Sequence, residues 1–134
     1  MSAVAVTDAH ALVWYALGPT RRLGRQARAM FARAERGDAA IYVPALVLVE
    51  IAEAFRRGVI TADGAFAQWV RRLFAGGRFI AADLTTEIVL DAEGLYMIRE
   101  RGDRLIAATA VHLDCPVITQ DAAMARVPHL RTIW

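Results

Sequence analysis

The chain has 134 residues, 57% of them hydrophobic, with a mean hydropathy of +0.34 and a net charge of only +2. That length and composition support one domain, residues 1–134, with a sizeable core, while no apolar run reaches the roughly 18 to 20 residues of a membrane span. All sixteen basic residues are arginine, which excludes a P-loop or a phospho-acceptor domain, since each needs a lysine. Arginine suits phosphate through its bidentate fork, and the same abundance suits a GC-rich coding composition. Met1 to Thr7 lacks the basic and apolar regions of a signal peptide, so the expected compartment is the cytoplasm.

Ala3 to Thr7, AVAVT, reads as a first β-strand, with Asp8 directly after it and a helix over Ala9 to Leu17 that closes at Gly18-Pro19. Asp8 is then either the helix N-cap or a group presented at the strand end. His10 lines the start of the same helix; with no second histidine at ligand spacing, it is not read as a metal ligand. From Arg21 to Arg36, the residues Leu23, Ala27, Met30, Phe31 and Ala34 share one helix face and the arginines lie off it, giving an amphipathic helix with a basic outer side.

A second strand covers Ala40 to Val43, and Pro44 opens the helix Ala45 to Arg57 at the first-turn position that tolerates proline. Within LVLVEIA, Glu50 stands among apolar neighbours, where a carboxylate is costly to bury unless paired or metal-bound; the alternative is a narrow exposed seam on which it pairs with an arginine. Thr61 reads as the cap of a helix whose inner face is Phe66, Trp69, Val70, Leu73 and Phe74, ended by Gly76-Gly77. A third strand spans Arg78 to Ala82. Thr85 caps the next helix, with Ile88, Val89, Ala92, Leu95 and Tyr96 inward and Asp91 and Glu93 toward solvent.

The most organised stretch is Gly102 to Asp121, GDRLIAATAVHLDCPVITQD. Asp103 stands at a helix start after Gly102, the helix turns at Cys115-Pro116, and Val117-Ile118-Thr119 forms a strand that places Asp121 just past its carboxyl end. A single helical turn at Ala122 to Ala125 and a last strand at Leu130 to Ile133 complete a reading of one α/β domain, with about five strands in a largely parallel sheet and helices on both faces.

Asp8, Glu50, Asp103 and Asp121 fall at the edge where open α/β sheets bind ligands. Carboxylates brought together repel unless a proton or cation intervenes, so their convergence implies a divalent ion. One cysteine and three scattered histidines offer no zinc site, and oxygen-only ligation favours Mg²⁺ or Mn²⁺, whose usual task is phosphate chemistry. Thr119 is read either as a β-favouring strand residue or as a hydroxyl that bonds phosphate or holds a ligand acid.

TDAHALVWYAL, VLVEIAEAFRRG, GDRLIAATAVHLDCPVITQD and the closing RTIW, in that order, together resemble PIN-domain proteins, in particular toxin ribonucleases of VapC type. The resemblance implies a three-layer α/β/α fold, Mg²⁺- or Mn²⁺-dependent endoribonuclease activity on RNA, a cognate antitoxin and a homodimer. It assigns Asp8, Glu50, Asp103 and Asp121 as the metal-holding catalytic acids. Two departures stand out: Pro44 where the family often has a hydroxyl residue, and Glu100-Arg101 where many members have Asp-Pro, which leaves Glu100 as an auxiliary candidate. A non-catalytic module that binds RNA or protein is the alternative; a phosphatase reading is weakened by the missing lysine and nucleophile motif.

Overall fold

Alternation within the strands divides the core in two. In a computed structural model, which describes residues 3–134, strands β1 (Ala3–Thr7), β2 (Ala39–Pro44), β3 (Phe79–Ala82), β4 (Val117–Ile118) and β5 (Thr132–Ile133) form one sheet in the order β3-β2-β1-β4-β5. Every pairing is parallel, and Val6 stands beside both Tyr42 and Val117. Successive side chains of a strand point to opposite faces. Val6, Val43 and Val117 accordingly enter one apolar cluster, and Ala5, Ile41 and Ile118 the other.

The helices are α1 (Ala9–Ala16), α2 (Arg25–Glu35), α3 (Ala45–Arg56), α4 (Phe66–Ala75), α5 (Thr86–Glu93), α6 (Arg101–His112) and α7 (Ala122–Ala125). Val47 and Ile51 of α3, Trp69 of α4, and Ile106, Ala107 and Ala110 of α6 cover the Val6 face. Ala27, Met30, Phe31 and Ala34 of α2 cover the other, where Phe31 stacks on Tyr15 at 4.3 Å between ring centroids. Helix α1 serves both, since Leu12 belongs to the first cluster and Ala11 to the second. The result is the expected three-layer α/β/α arrangement, with the sheet parallel throughout.

From β1 the chain winds outward through β2 and β3, then returns to place β4 on the other side of β1. This reversal makes the carboxyl ends of β1 and β4 a topological switch point, the crevice where ligands bind in such sheets. Among the described residues no helix is long and apolar enough to cross a membrane.

Several boundaries differ from the sequence reading. Thr20–Arg22 forms a separate 3₁₀ turn and α2 starts only after Gly24, although Leu23 is buried as expected. Thr61 lies in a loop; α4 begins at Phe66, and the Gln68 side chain accepts from the Ala65 amide at 3.0 Å. Pro44 closes β2 and stands as the N-cap of α3, one residue earlier than its expected place in the first turn. Helix α5 stops at Glu93, before Gly94, so Tyr96 is 82% exposed instead of inward, and Val89 is also exposed; Ile98 takes the buried place. The last strand is confined to Thr132–Ile133, with Leu130 buried in the turn before it.

Candidate active site

Asp8 directly follows β1 and caps α1: the Ala11 amide donates to its Oδ1 at 2.8 Å. Asp121 follows β4 by the same device, capping α7 with its Oδ1 accepting from the Ala123 amide at 2.8 Å. An N-cap carboxylate satisfies an otherwise orphaned helix amide, and in both residues Oδ2 is free of that bond. Thr119 joins the two. Its buried hydroxyl accepts from the Asp121 amide at 3.1 Å and directs its proton to the Asp8 carboxylate. The Thr119 hydroxyl thus contacts both strand-end acids.

Asp103 is the third residue of α6, which begins at Arg101; Gly102 therefore lies inside the first turn instead of breaking the chain before it. The reason is steric. A Cβ at Gly102 would collide with Glu50 Oε1, so glycine lets α6 approach α3 with the carboxylate between them. Glu50 departs from expectation as well. It is exposed at the mouth of the site, not buried, because Val47 and Ile51 occupy the face of α3 that meets the core.

The acids perturb one another. Burial pushes the Asp103 carboxyl up to about 7, and its hydrogen bond with Asp121 and the charges of Asp121, Glu50 and Asp8 push the same way. Asp8 is raised by burial and by Asp121, against the lowering effects of Thr119, the Ala11 amide and His10. Glu50 is raised by desolvation and by Asp8 and Glu100, with His10 opposing. Asp8, His10, Glu50, Glu100 and Asp103 line a common cavity of about 260 Å³, which Asp121 supports through its bond to Asp103. Glu100 thus borders the cleft as the N-cap residue of α6, without a side-chain capping bond.

Crowded carboxyls with raised proton affinity and spare oxygens form a donor set suited to a hard divalent cation. Among the described residues, no three His, Cys, Asp or Glu side chains stand ready to clasp an ion together. His10 and Gly102 are the cleft residues whose place the sequence did not reveal. A glycine in the first turn of a helix opposite an acidic helix was the available signal for the second.

Comparison with known proteins bears on this geometry. Solved structures with similar chains include VapBC2 from Rickettsia felis bound to a DNA fragment from their promoter, at 14% identity and a TM-score of 0.68 over 96% of each chain. A toxin-antitoxin complex from Klebsiella pneumoniae matches at 18% identity and a TM-score of 0.64 over 94% of each chain. FitAcB from Neisseria gonorrhoeae matches at 14% identity and 0.64, over 96% of this chain and 95% of that one. At such identities the likeness is one of fold. Among curated proteins none matches the sequence. The PIN domain family model matches residues 5–130, nearly the whole chain, and the protein therefore belongs to the PIN domain family.

Proposed function

We propose that the protein is a metal-dependent endoribonuclease and the toxin of a type II toxin–antitoxin pair. The observation that carries this reading is the convergence of Asp8, Glu50, Asp103 and Asp121 at the β1/β4 switch point. Membership of the PIN family and the fold shared with toxin–antitoxin complexes support it.

Asp8 and Asp103 would hold the ion, with Glu50 bordering it from α3 and Asp121 fixing Asp103 from behind. Mg²⁺ or Mn²⁺ bound there would neutralise charge on a phosphodiester and lower the pKa of a water for in-line attack. Thr119 would orient Asp8 and favour its charged form against the upward pull of burial. An ion held there would favour the ionised form of Asp103 and offset the repulsion from Asp121, Glu50 and Asp8. Rim arginines would contact the RNA backbone and make binding salt-sensitive. By analogy with the complexes that share its fold, the partner would be a cognate antitoxin; the reading also includes a homodimer and a cytoplasmic location, with residues 1–134 acting as one domain.

The test is cleavage of single-stranded RNA with Mg²⁺ or Mn²⁺, compared with EDTA and with Asp8→Asn. Both controls should reduce the rate at least 100-fold; undiminished cleavage in either would overturn the proposal. The competing reading is a module that binds RNA or protein without cleaving it. Calorimetric titration with Mn²⁺ separates them, because the module predicts no divalent binding.

A further inference from the structure

Next to the acidic cleft lies a second cavity of about 330 Å³, and the two share Ala9, His10 and Glu50. Its remaining walls are apolar and come chiefly from Val13 and Trp14 of α1, Ile51 and Ala54 of α3, and Ile60 in the loop beyond α3. The aromatic wall is organised. His10 and Trp14, one helical turn apart on α1, approach with ring centroids at 5.5 Å. Trp134 meets Trp14 edge-on at 5.8 Å, and the Arg22 guanidinium lies 5.4 Å from the centre of the Trp14 ring. Neither the core clusters nor the acid site requires that guanidinium on that ring.

We propose that this cavity is a nucleobase subsite, taking the base of the nucleotide beside the phosphate in the acidic cleft. The inference rests on the nuclease reading for its substrate, and three features lead to it. The cavity shares His10 and Glu50 with the cleft, so a phosphate in one and its own base in the other would be neighbours. The size admits a single planar ring system between an aromatic wall and an aliphatic one, and such stacking tolerates any base because every base has a π-face. Arg22, 5.4 Å from the ring of the lining residue Trp14, brings a cation to that wall, where it would attract a flanking phosphate. An apolar peptide side chain could use the same walls, but Arg22 would offer it nothing.

The subsite is tested by titrating the ¹⁵N-labelled chain with the four nucleoside 5′-monophosphates and with ribose 5-phosphate, following the Trp14 indole resonance, identified through Trp14→Phe. At least one nucleotide should shift the resonance at about tenfold lower concentration than ribose 5-phosphate, the magnitude expected of one stacked base. Ala54→Leu, which fills the cavity, should abolish that difference. His10→Ala should reduce it and provides a second variant at an exposed position if Ala54→Leu does not fold. Equal response to ribose 5-phosphate, a difference that survives in both variants, or a shift by N-acetyl-leucine amide with nucleotides inert would each overturn the proposal. RNA cleavage by the unaltered chain is scored separately. A chain that cleaves but fails the titration refutes the subsite alone; one that discriminates nucleotides but never cleaves refutes the nuclease reading alone.

Discussion

Replacing Asp103 with Asn should stabilise the metal-free protein above pH 7 and leave it unchanged near pH 4. The Asp103 carboxyl titrates near 7 in the fold against an ordinary 3.8. The folded state therefore keeps a proton that the unfolded chain has released between about pH 4 and 7. Under linkage, a raised carboxyl pKa contributes stability that is present below about pH 4 and lost as pH rises through 7. At about 1.36 kcal/mol per pH unit, full conversion gives roughly 4 kcal/mol. Asp103 keeps part of its surface in water, and solvent screening reduces the figure to about 1 to 2 kcal/mol. Asn does not titrate, and its amide can still donate to Asp121. For a chain of 134 residues the gain corresponds to about 3 to 8 °C in Tm at pH 8. Thermal melts of both proteins in EDTA at pH 4.5, 6 and 8 measure it. A variant no more stable than its parent at pH 8, or an advantage equal at all three pH values, would refute the claim that the acids strain one another.

Adding Mn²⁺ at pH 8 should raise the Tm of the parent, by about 2.7 kcal/mol of stability at 100 times Kd, and should do little for Asp8→Asn; differential scanning fluorimetry reads both. Gly102→Ala should leave stability within about 1 kcal/mol, because alanine favours a helix and Glu50 can swing aside, yet it should slow RNA cleavage at least tenfold by displacing that carboxylate. Thr119→Val should cost about 1 to 3 kcal/mol in urea unfolding, since it strips the Asp121 amide of its acceptor and Asp8 of its donor, whereas Thr119→Ser should lose less. Gly24→Ala should cost about 1 to 3 kcal/mol because the new methyl meets the Trp134 backbone and indole, while Gly76→Ala, facing open space, should be neutral or slightly stabilising.

Features that depend on local pattern were legible in the sequence. AVAVT and PVIT announce strands through β-branched residues, and an aspartate just past each strand lands at the sheet edge whatever packs around it. The inner faces of α2 and α4 followed from their period. Features that depend on tertiary approach were not legible. Gly102 looked like a breaker because glycine is poor in helices, and its reason, the Glu50 carboxylate on a neighbouring helix, is remote in sequence. Glu50 looked buried because its neighbours are apolar, yet one helix can turn Val47 and Ile51 to the core while the residue between them faces the cleft. Tyr96 looked inward because the helical period was continued past Gly94, where α5 ends. The wall of Trp14, Arg22 and Trp134 joins three segments with no shared motif.

For Asp8 the sequence left helix cap and strand-end group as alternatives; in the structure both Asp8 and Asp121 cap the helix that follows them while standing at the sheet edge. Each cap bond engages Oδ1 with an amide of the helix that follows, which fixes the plane of the carboxylate and leaves Oδ2 available at the edge of the sheet. Thr119, between them, binds the backbone of one and the side chain of the other. Thr119 therefore links the two strand-end acids. Glu50 and Asp103 have no comparable anchor. Glu50 is exposed, with its carboxylate against Gly102, and Asp103 is tied to Asp121 by a hydrogen bond. The two strand-end acids are thus anchored by backbone amides, while Glu50 and Asp103 reach the same cavity from α3 and α6.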